Sequence, residues 1–125
     1  MARLSIRLFG PFQVHLDGRP AGGFEYNKVW ALLAYLAVES DRAHPRQSLA
    51  GLLWPERSEQ SARGNLSQAL LSLRRAIGDA VADPPFLVVT PQALQFNLVS
   101  DHWLDVREFE HLLTACEQHA HARLE

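Results

Sequence analysis

The sequence predicts an α+β domain with an N-terminal antiparallel sheet, three helices and a C-terminal β-hairpin. Three observations point there. Residues 4–9 and 12–16 alternate apolar with polar side chains, and the tight-turn dipeptide Asp17-Gly18 follows them. Apolar residues then recur at helical spacing through residues 26–53, and again through 58–78, a stretch that is basic in its C-terminal half. Finally, Phe86–Val89 and Leu94–Phe96 flank Thr90-Pro91-Gln92-Ala93 and read as a hairpin.

Leu4, Ile6 and Leu8 alternate with Ser5, Arg7 and Phe9, the period-two pattern of a half-buried strand. Gly10-Pro11 interrupts it, and Phe12, Val14 and Leu16 alternate with Gln13 and His15 as a second strand. Asp17 and Gly18 both tolerate positive φ, so the chain is expected to return over Arg19–Ala21 and to leave the sheet at Gly22-Gly23. A first helix is predicted over Tyr26–Glu39, with Val29, Leu32, Leu33, Leu36 and Ala37 on one face. Residues 40–44 read as a loop. Pro45 suits the first turn of a second helix, because its missing N–H has no partner to lose there. Leu49, Leu52 and Leu53 form that helix's expected buried face, and Pro55 closes it.

The third helix is predicted over Ser58–Gly78. Ser58 can cap free N–H groups, Glu59 suits the positive end of the dipole, and Gly78 is a natural stop. Leu66, Leu70, Leu73 and Ile77 step by four, three and four residues and share a face. Residues 79–85 read as a loop and 97–102 as a linker. From Trp103 a fourth helix is expected, with Val106, Phe109, Leu112 and Leu113 on one side. The predicted division is residues 1–98 as one domain, and 99–125 as a linker plus the first helix of a second.

The chain has 125 residues, a net charge of −2 and one cysteine, Cys116. A single cysteine excludes an internal disulfide and fits a reducing cytoplasmic setting. No apolar run approaches the roughly 18 residues of a membrane span, and the N-terminus lacks a secretion-signal pattern. The net charge gives no whole-chain attraction to phosphate, so any affinity for DNA has to come from a local basic patch.

The residues also carry a family resemblance. The run Arg7-Leu8-Phe9-Gly10-Pro11-Phe12-Gln13-Val14 followed by Leu16-Asp17-Gly18 resembles the opening of the SARP/BTAD family of bacterial transcriptional activators. Ala31-Leu32-Leu33-Ala34-Tyr35-Leu36-Ala37 and Leu49-Ala50-Gly51-Leu52-Leu53-Trp54-Pro55 are similar to later parts of that family. Asn65-Leu66-Ser67-Gln68-Ala69-Leu70 with Leu73-Arg74-Arg75-Ala76-Ile77-Gly78 resembles its recognition helix, and Trp103-Leu104-Asp105-Val106 with Phe109 the start of its helical activation domain. The resemblance implies a winged helix-turn-helix of OmpR/PhoB type, followed by a TPR-like all-helical domain.

On a helical wheel of about 100° per residue, Leu70, Leu73 and Ile77 fall within about 40° of Leu66. Gly64, Gln68, Leu71 and Arg75 lie opposite, flanked by Asn65 and Ser72. Small residues such as Gly64 let a helix sink into the major groove. Gln68 can pair with adenine, Ser72 with any base, and Leu71 with a thymine methyl group, while Asn65 can reach a base or a phosphate. Arg46, Arg63, Arg74 and Arg75 are candidate phosphate contacts. The hairpin over residues 86–96 contains no Lys or Arg, which leaves only Thr90 and Gln92 to meet backbone there. The isolated domain is therefore expected to bind duplex DNA modestly, as a dimer or in tandem on repeats. In related winged helices the loop between the second and third helices can contact RNA polymerase. Trp54, Glu56 and Arg57 are the corresponding candidates here, with packing of Trp54 on the third helix as the alternative.

The competing reading is a winged-helix protein–protein interaction module without autonomous DNA binding, supported by the acidic balance, the neutral hairpin and Leu71. A continuous positive face made by Arg63, Arg74, Arg75, Arg46 and Lys28 would favour DNA. Interruption by Glu59 and Asp79 would favour a protein. No glycine-rich phosphate loop or nucleophilic triad is present, so no enzyme is predicted. No cofactor is expected. His111, Cys116, His119 and His121 gather near the C-terminus without the second ligand pair of a metal site. Lys28 reads as a solvated side chain or a phosphate contact.

Overall fold

The computed structural model of the chain describes residues 3–9, 13–21 and 27–107. In chain order the elements are β1 (Leu4–Arg7), β2 (Gln13–Leu16), β3 (Arg19–Pro20), α1 (Asn27–Val38), β4 (His44–Pro45), α2 (Arg46–Leu53), α3 (Glu59–Ala76), β5 (Leu87–Val89), β6 (Ala93–Phe96) and β7 (His102–Leu104). The strands form two sheets, ordered β3-β2-β1-β7 and β4-β6-β5.

Alternation makes the first sheet. Leu4 and Ile6 of β1 and Val14 of β2 are buried on one face, while Arg7 and Gln13 stay exposed. The strands pair antiparallel with Leu4 opposite Leu16 and Arg7 opposite Gln13. Asp17 and Gly18 take φ of 54° and 79°, as a two-residue hairpin turn of matching twist requires. The Asp17 carboxylate also accepts the Arg3 N–H at 2.7 Å, which ties the turn back to the start of β1.

The helices pack α2 on α3 and α1 on both. Leu32, Leu33 and Leu36 of α1, Leu49 and Leu53 of α2, and Leu66, Leu70 and Leu73 of α3 meet in one core with Phe86, Leu94 and Phe96 of the C-terminal hairpin region. Ser58 caps α3, its hydroxyl accepting the Ser61 N–H at 3.2 Å. At the other end Gly78 has φ of 65°; its N–H donates to Arg75 O at 3.3 Å and the Asp79 N–H to Arg74 O at 2.9 Å. That pair of bonds is a Schellman closure, which needs the left-handed residue that glycine supplies without strain.

Several sequence expectations are corrected. Residues 44 and 45 are not a loop end and a helical turn but β4, paired antiparallel to β6 with His44 opposite Leu94 and Pro45 opposite Ala93. Pro45 stands as the N-cap of α2, with ψ of 138°, and its ring supplies no cap hydrogen bond. A two-residue strand carries no alternation, so only its partner reveals it. Leu52 is 54% exposed, and Ala50 takes its place on the buried face of α2. Residues 98–101 are turns and bends, and the expected helix start at Trp103 gives way to β7, which runs parallel to β1 with Ser5 opposite Trp103. Helical geometry begins only at Asp105. The Trp103–Val106 spacing suits a helix locally, but pairing with a strand almost a hundred residues earlier overrides it. The expectations placed on Gly10-Pro11, Phe12, Gly22-Gly23, Tyr26 and the helix through Phe109, Leu112 and Leu113 lie outside the described residues.

Asp79 joins α3 to the hairpin. Its carboxylate is buried, accepts the N–H groups of Phe86 at 2.7 Å and Leu87 at 3.1 Å, and pairs with Arg74 at 3.1 Å. Replacing Asp79→Ala leaves two buried N–H groups without their acceptor. It is expected to cost roughly 3 kcal/mol in urea unfolding. Asp79→Asn, which retains one carbonyl oxygen, should cost less.

Candidate nucleic-acid interface

The turn from α2 into α3 is short and internally bonded. The Trp54 N–H donates to Ala50 O at 2.9 Å, and the Arg57 N–H to Trp54 O at 3.2 Å. These bonds aim α3 across the domain with one face out. Gly64, Gln68, Leu71, Ser72 and Arg75 are exposed on it, and Asn65 is half-buried at its edge. A Cβ added at Gly64 would meet no neighbouring atom, so the glycine leaves the helix backbone open to approach. Leu66, Leu70, Leu73 and Ile77 are buried on the opposite side. The helical-wheel division of α3 and the burial pattern therefore agree.

Beside this face is a groove of about 500 Å³ between α2, α3 and the hairpin tip, lined in part by Arg46, Gln47, Arg63, Ser67 and Gln92. β4 creates it. By pairing with β6, it delivers the first residue of α2 to the hairpin tip. There the Arg46 N–H donates to Gln92 O at 2.9 Å, and Arg46 Nε donates to Thr90 O at 3.0 Å. The hairpin without a cation of its own thus carries the guanidinium of α2. Thr90 closes the tip, its hydroxyl oxygen accepting the Ala93 N–H at 2.9 Å. With no side-chain cap on α2, the positive end of its dipole also faces this side. Gln47 had no signal in the sequence; only the β4–β6 pairing places it here.

The arginines divide by partner. Arg63 sits beside Glu59 at 3.5 Å and Gln47 at 3.4 Å, with Arg63 and Glu59 both well exposed. Arg74 is committed to the buried Asp79. Arg75 is exposed and, among the described residues, forms no ion pair. Asp79 does not interrupt the outer face, because it is buried beneath Arg74; Glu59 does stand there, next to Arg63. Lys28 lies away from this face, its ammonium donating to Leu53 O at the C-terminal end of α2 and lying 6.0 Å from the Trp54 ring.

In the turn, Trp54 is half-buried while Glu56 and Arg57 are exposed. Trp54 lines a groove of about 350 Å³ with Gln47, Gly51, Pro55, Arg57 and Glu59, among others. Among the described residues no group of three or more His, Cys, Asp or Glu could hold a metal ion, and no helix is long and apolar enough to cross a membrane. His111, Cys116, His119 and His121 lie outside them.

No protein-family model matches the chain. It is similar to the transcriptional regulatory protein EmbR of Mycobacterium bovis and of Mycobacterium tuberculosis, 30% identical over 108 residues in each. Those 108 residues are 86% of this chain and 27% of EmbR, so the chain spans about a quarter of the length of these relatives. A solved structure of M. tuberculosis EmbR in complex with a low-affinity phosphopeptide is also similar, with a TM-score of 0.65 and 29% identity over 78% of this chain and 26% of that one. The α+β fold is thus shared with part of a transcriptional regulator.

The unequal partners of the adjacent arginines set an expectation for stability. Arg74→Ala leaves the Asp79 carboxylate without its cation and should cost about 1–2 kcal/mol, the half-exposed guanidinium limiting the loss. Arg75→Ala should stay within about 0.5 kcal/mol. Parallel urea titrations of the two variants distinguish them.

Proposed function

We propose that this chain is the DNA-binding part of a transcriptional regulator, a winged helix-turn-helix of SARP/BTAD type whose α3 enters the major groove. The observation that carries this reading is the exposed, small and polar face of α3 bordered by Arg46, Arg63 and Arg75. Gln68 and Ser72 would meet base edges, Leu71 a thymine methyl group and Asn65 a base or phosphate, with Gly64 allowing close approach. Arg46, Arg63 and Arg75 would meet phosphates, with Thr90 at the hairpin tip; Arg74 would add its outward N–H groups while holding Asp79. The similarity to a transcriptional regulatory protein supports the same reading. Residues 1–98 would form the DNA-binding domain and 99–125 the entry to a helical activation domain, with β7 anchoring that entry to β1. A second copy on a repeated site would supply the affinity one domain lacks. The Trp54, Glu56 and Arg57 surface would face RNA polymerase.

The alternative is a protein-binding module of the same fold. It is favoured by exposed Leu71 and Leu52 and by Glu59 beside Arg63.

The test is selection from random duplexes, followed by fluorescence anisotropy on the selected DNA across a salt series. Affinity is expected to fall linearly on logarithmic axes, with Arg75→Ala lowering the slope by about one. Gln68→Ala should relax preference at one position by about 1–3 kcal/mol. A folded chain that selects no duplex and shows no salt-dependent binding would overturn the DNA reading in favour of the protein-binding one.

A further inference from the structure

The turn that follows β7 is fastened to the domain at two points. The Asp105 carboxylate accepts the Leu8 N–H at 2.9 Å and the Phe9 N–H at 2.9 Å, beyond the end of β1. Arg107 reaches the other way. Its guanidinium donates to Ala37 O at 3.3 Å and Ser40 Oγ at 2.6 Å, at the C-terminal end of α1. Ala37 belongs to the last turn of α1, whose carbonyls lack helical partners, and α1 has no basic residue of its own in that turn. Arg107 supplies the missing cation from about seventy residues away in sequence.

The third partner of Arg107 is a histidine. Arg107 Nη1 lies 3.1 Å from His102 Nε2. A guanidinium can only donate, so this bond requires the lone pair of a neutral imidazole. The ring proton then sits on Nδ1, which faces Ser100 O and Ser100 Oγ, each at 3.0 Å. One tautomer satisfies both sides of the ring, and Phe96 packs edge-on against it with ring centroids 4.8 Å apart.

We infer that Arg107 and His102 form an acid-sensitive clamp, which holds the chain leaving β7 against the end of α1 and releases it when His102 takes up a proton. Protonation removes the acceptor at Nε2 and sets two cations face to face. Among the described residues no carboxylate pairs with Arg107 to absorb that charge. The groups that bear on the ring are few. Burial holds His102 below the ordinary histidine value of 6.5; the Ser100 carbonyl opposes this, Arg107 adds to it, Asp101 opposes it and Arg3 adds to it. Asp101 is itself 3.9 Å from Arg3, which tempers its pull. The unfolded or opened chain therefore binds the proton first. Stability conferred by the clamp is full above 6.5 and is lost as pH falls from there toward the lowered value in the closed state. The clamp does not depend on whether α3 binds DNA.

Two-dimensional NMR of the full chain, followed from about pH 8 to about pH 5, tests it. The His102 ring signals should titrate with a midpoint below 6.5. The Ser40 amide and the Arg107 side-chain N–H signals should move along the same curve. In His102→Gln, whose amide oxygen can accept from Arg107 at every pH, those movements should disappear. In Arg107→Gln, His102 should titrate nearer to 6.5 and Ser40 should no longer follow it. Titration of His102 that leaves Ser40 and Arg107 unmoved in the wild type would overturn the clamp. Persistence of their movements in His102→Gln would also overturn it. Should that variant fail to fold, the wild-type and Arg107→Gln curves decide.

Discussion

The buried carboxylate of Asp79 fixes the relation between α3 and the C-terminal hairpin, and the rest of the exposed face depends on that relation. It sits one residue past the glycine that ends α3 and accepts the backbone N–H groups of Phe86 and Leu87 as the chain enters β5. An apolar side chain of similar size could pack there, but it could not accept two converging N–H groups. Arg74 makes the arrangement tenable by lying against the charge from the half-exposed side. Because the hairpin is held to the end of α3, β6 is in place to receive β4. Because β4 is received, α2 begins at the hairpin tip.

That last step changes how the hairpin's charge is counted. Read along the chain, residues 86–96 are neutral. In space the tip carries Arg46, fixed by its own backbone N–H and its Nε to carbonyls on either side of Pro91. A cation bonded through Nε keeps its terminal N–H groups available while losing side-chain freedom, which reduces the entropic cost of meeting a phosphate. Under the proposed function, the hairpin and the start of α2 would act as one unit on the DNA backbone, and α3 as the reader beside them.

Local patterns made most of the fold legible. The alternation of Leu4 and Ile6, the Asp17-Gly18 turn, the Ser58 cap, the Gly78 stop and the periodicity of α3 are each written within a few residues, and each has the predicted conformation. The face of α3 was equally readable, because a wheel needs only sequence spacing. What escaped was non-local. β4 is a strand only because β6 lies beside it, and β7 only because β1 does. Leu52 is exposed despite its apolar side chain, because apolar character alone does not say which side of a short helix faces the core; Ala50, smaller and four residues before Trp54, packs there instead. The roles of Arg46, Arg74 and Lys28 could not be read from their neighbours in sequence, since the atoms they bond to are carbonyls and a carboxylate positioned by tertiary contacts.

Lys28, Arg74 and Arg107 share a physical logic. The C-terminal end of a helix carries partial negative charge, and each described helix has a basic side chain upon that end or close by. Arg107 comes to α1 from the turn after β7, and Lys28 comes to α2 from the first turn of α1. Arg74 lies in the last turn of α3 and pairs with the carboxylate just beyond it. Such cations are committed to the fold and contribute little to an external field. Arg46, Arg63 and Arg75 are not tied to a helix C-terminus and stand beside the outer face of α3. An overall charge of −2 therefore says little about the face of α3. A sum over the chain counts the cations held at helix ends equally with those beside α3, and only the latter can meet a ligand there.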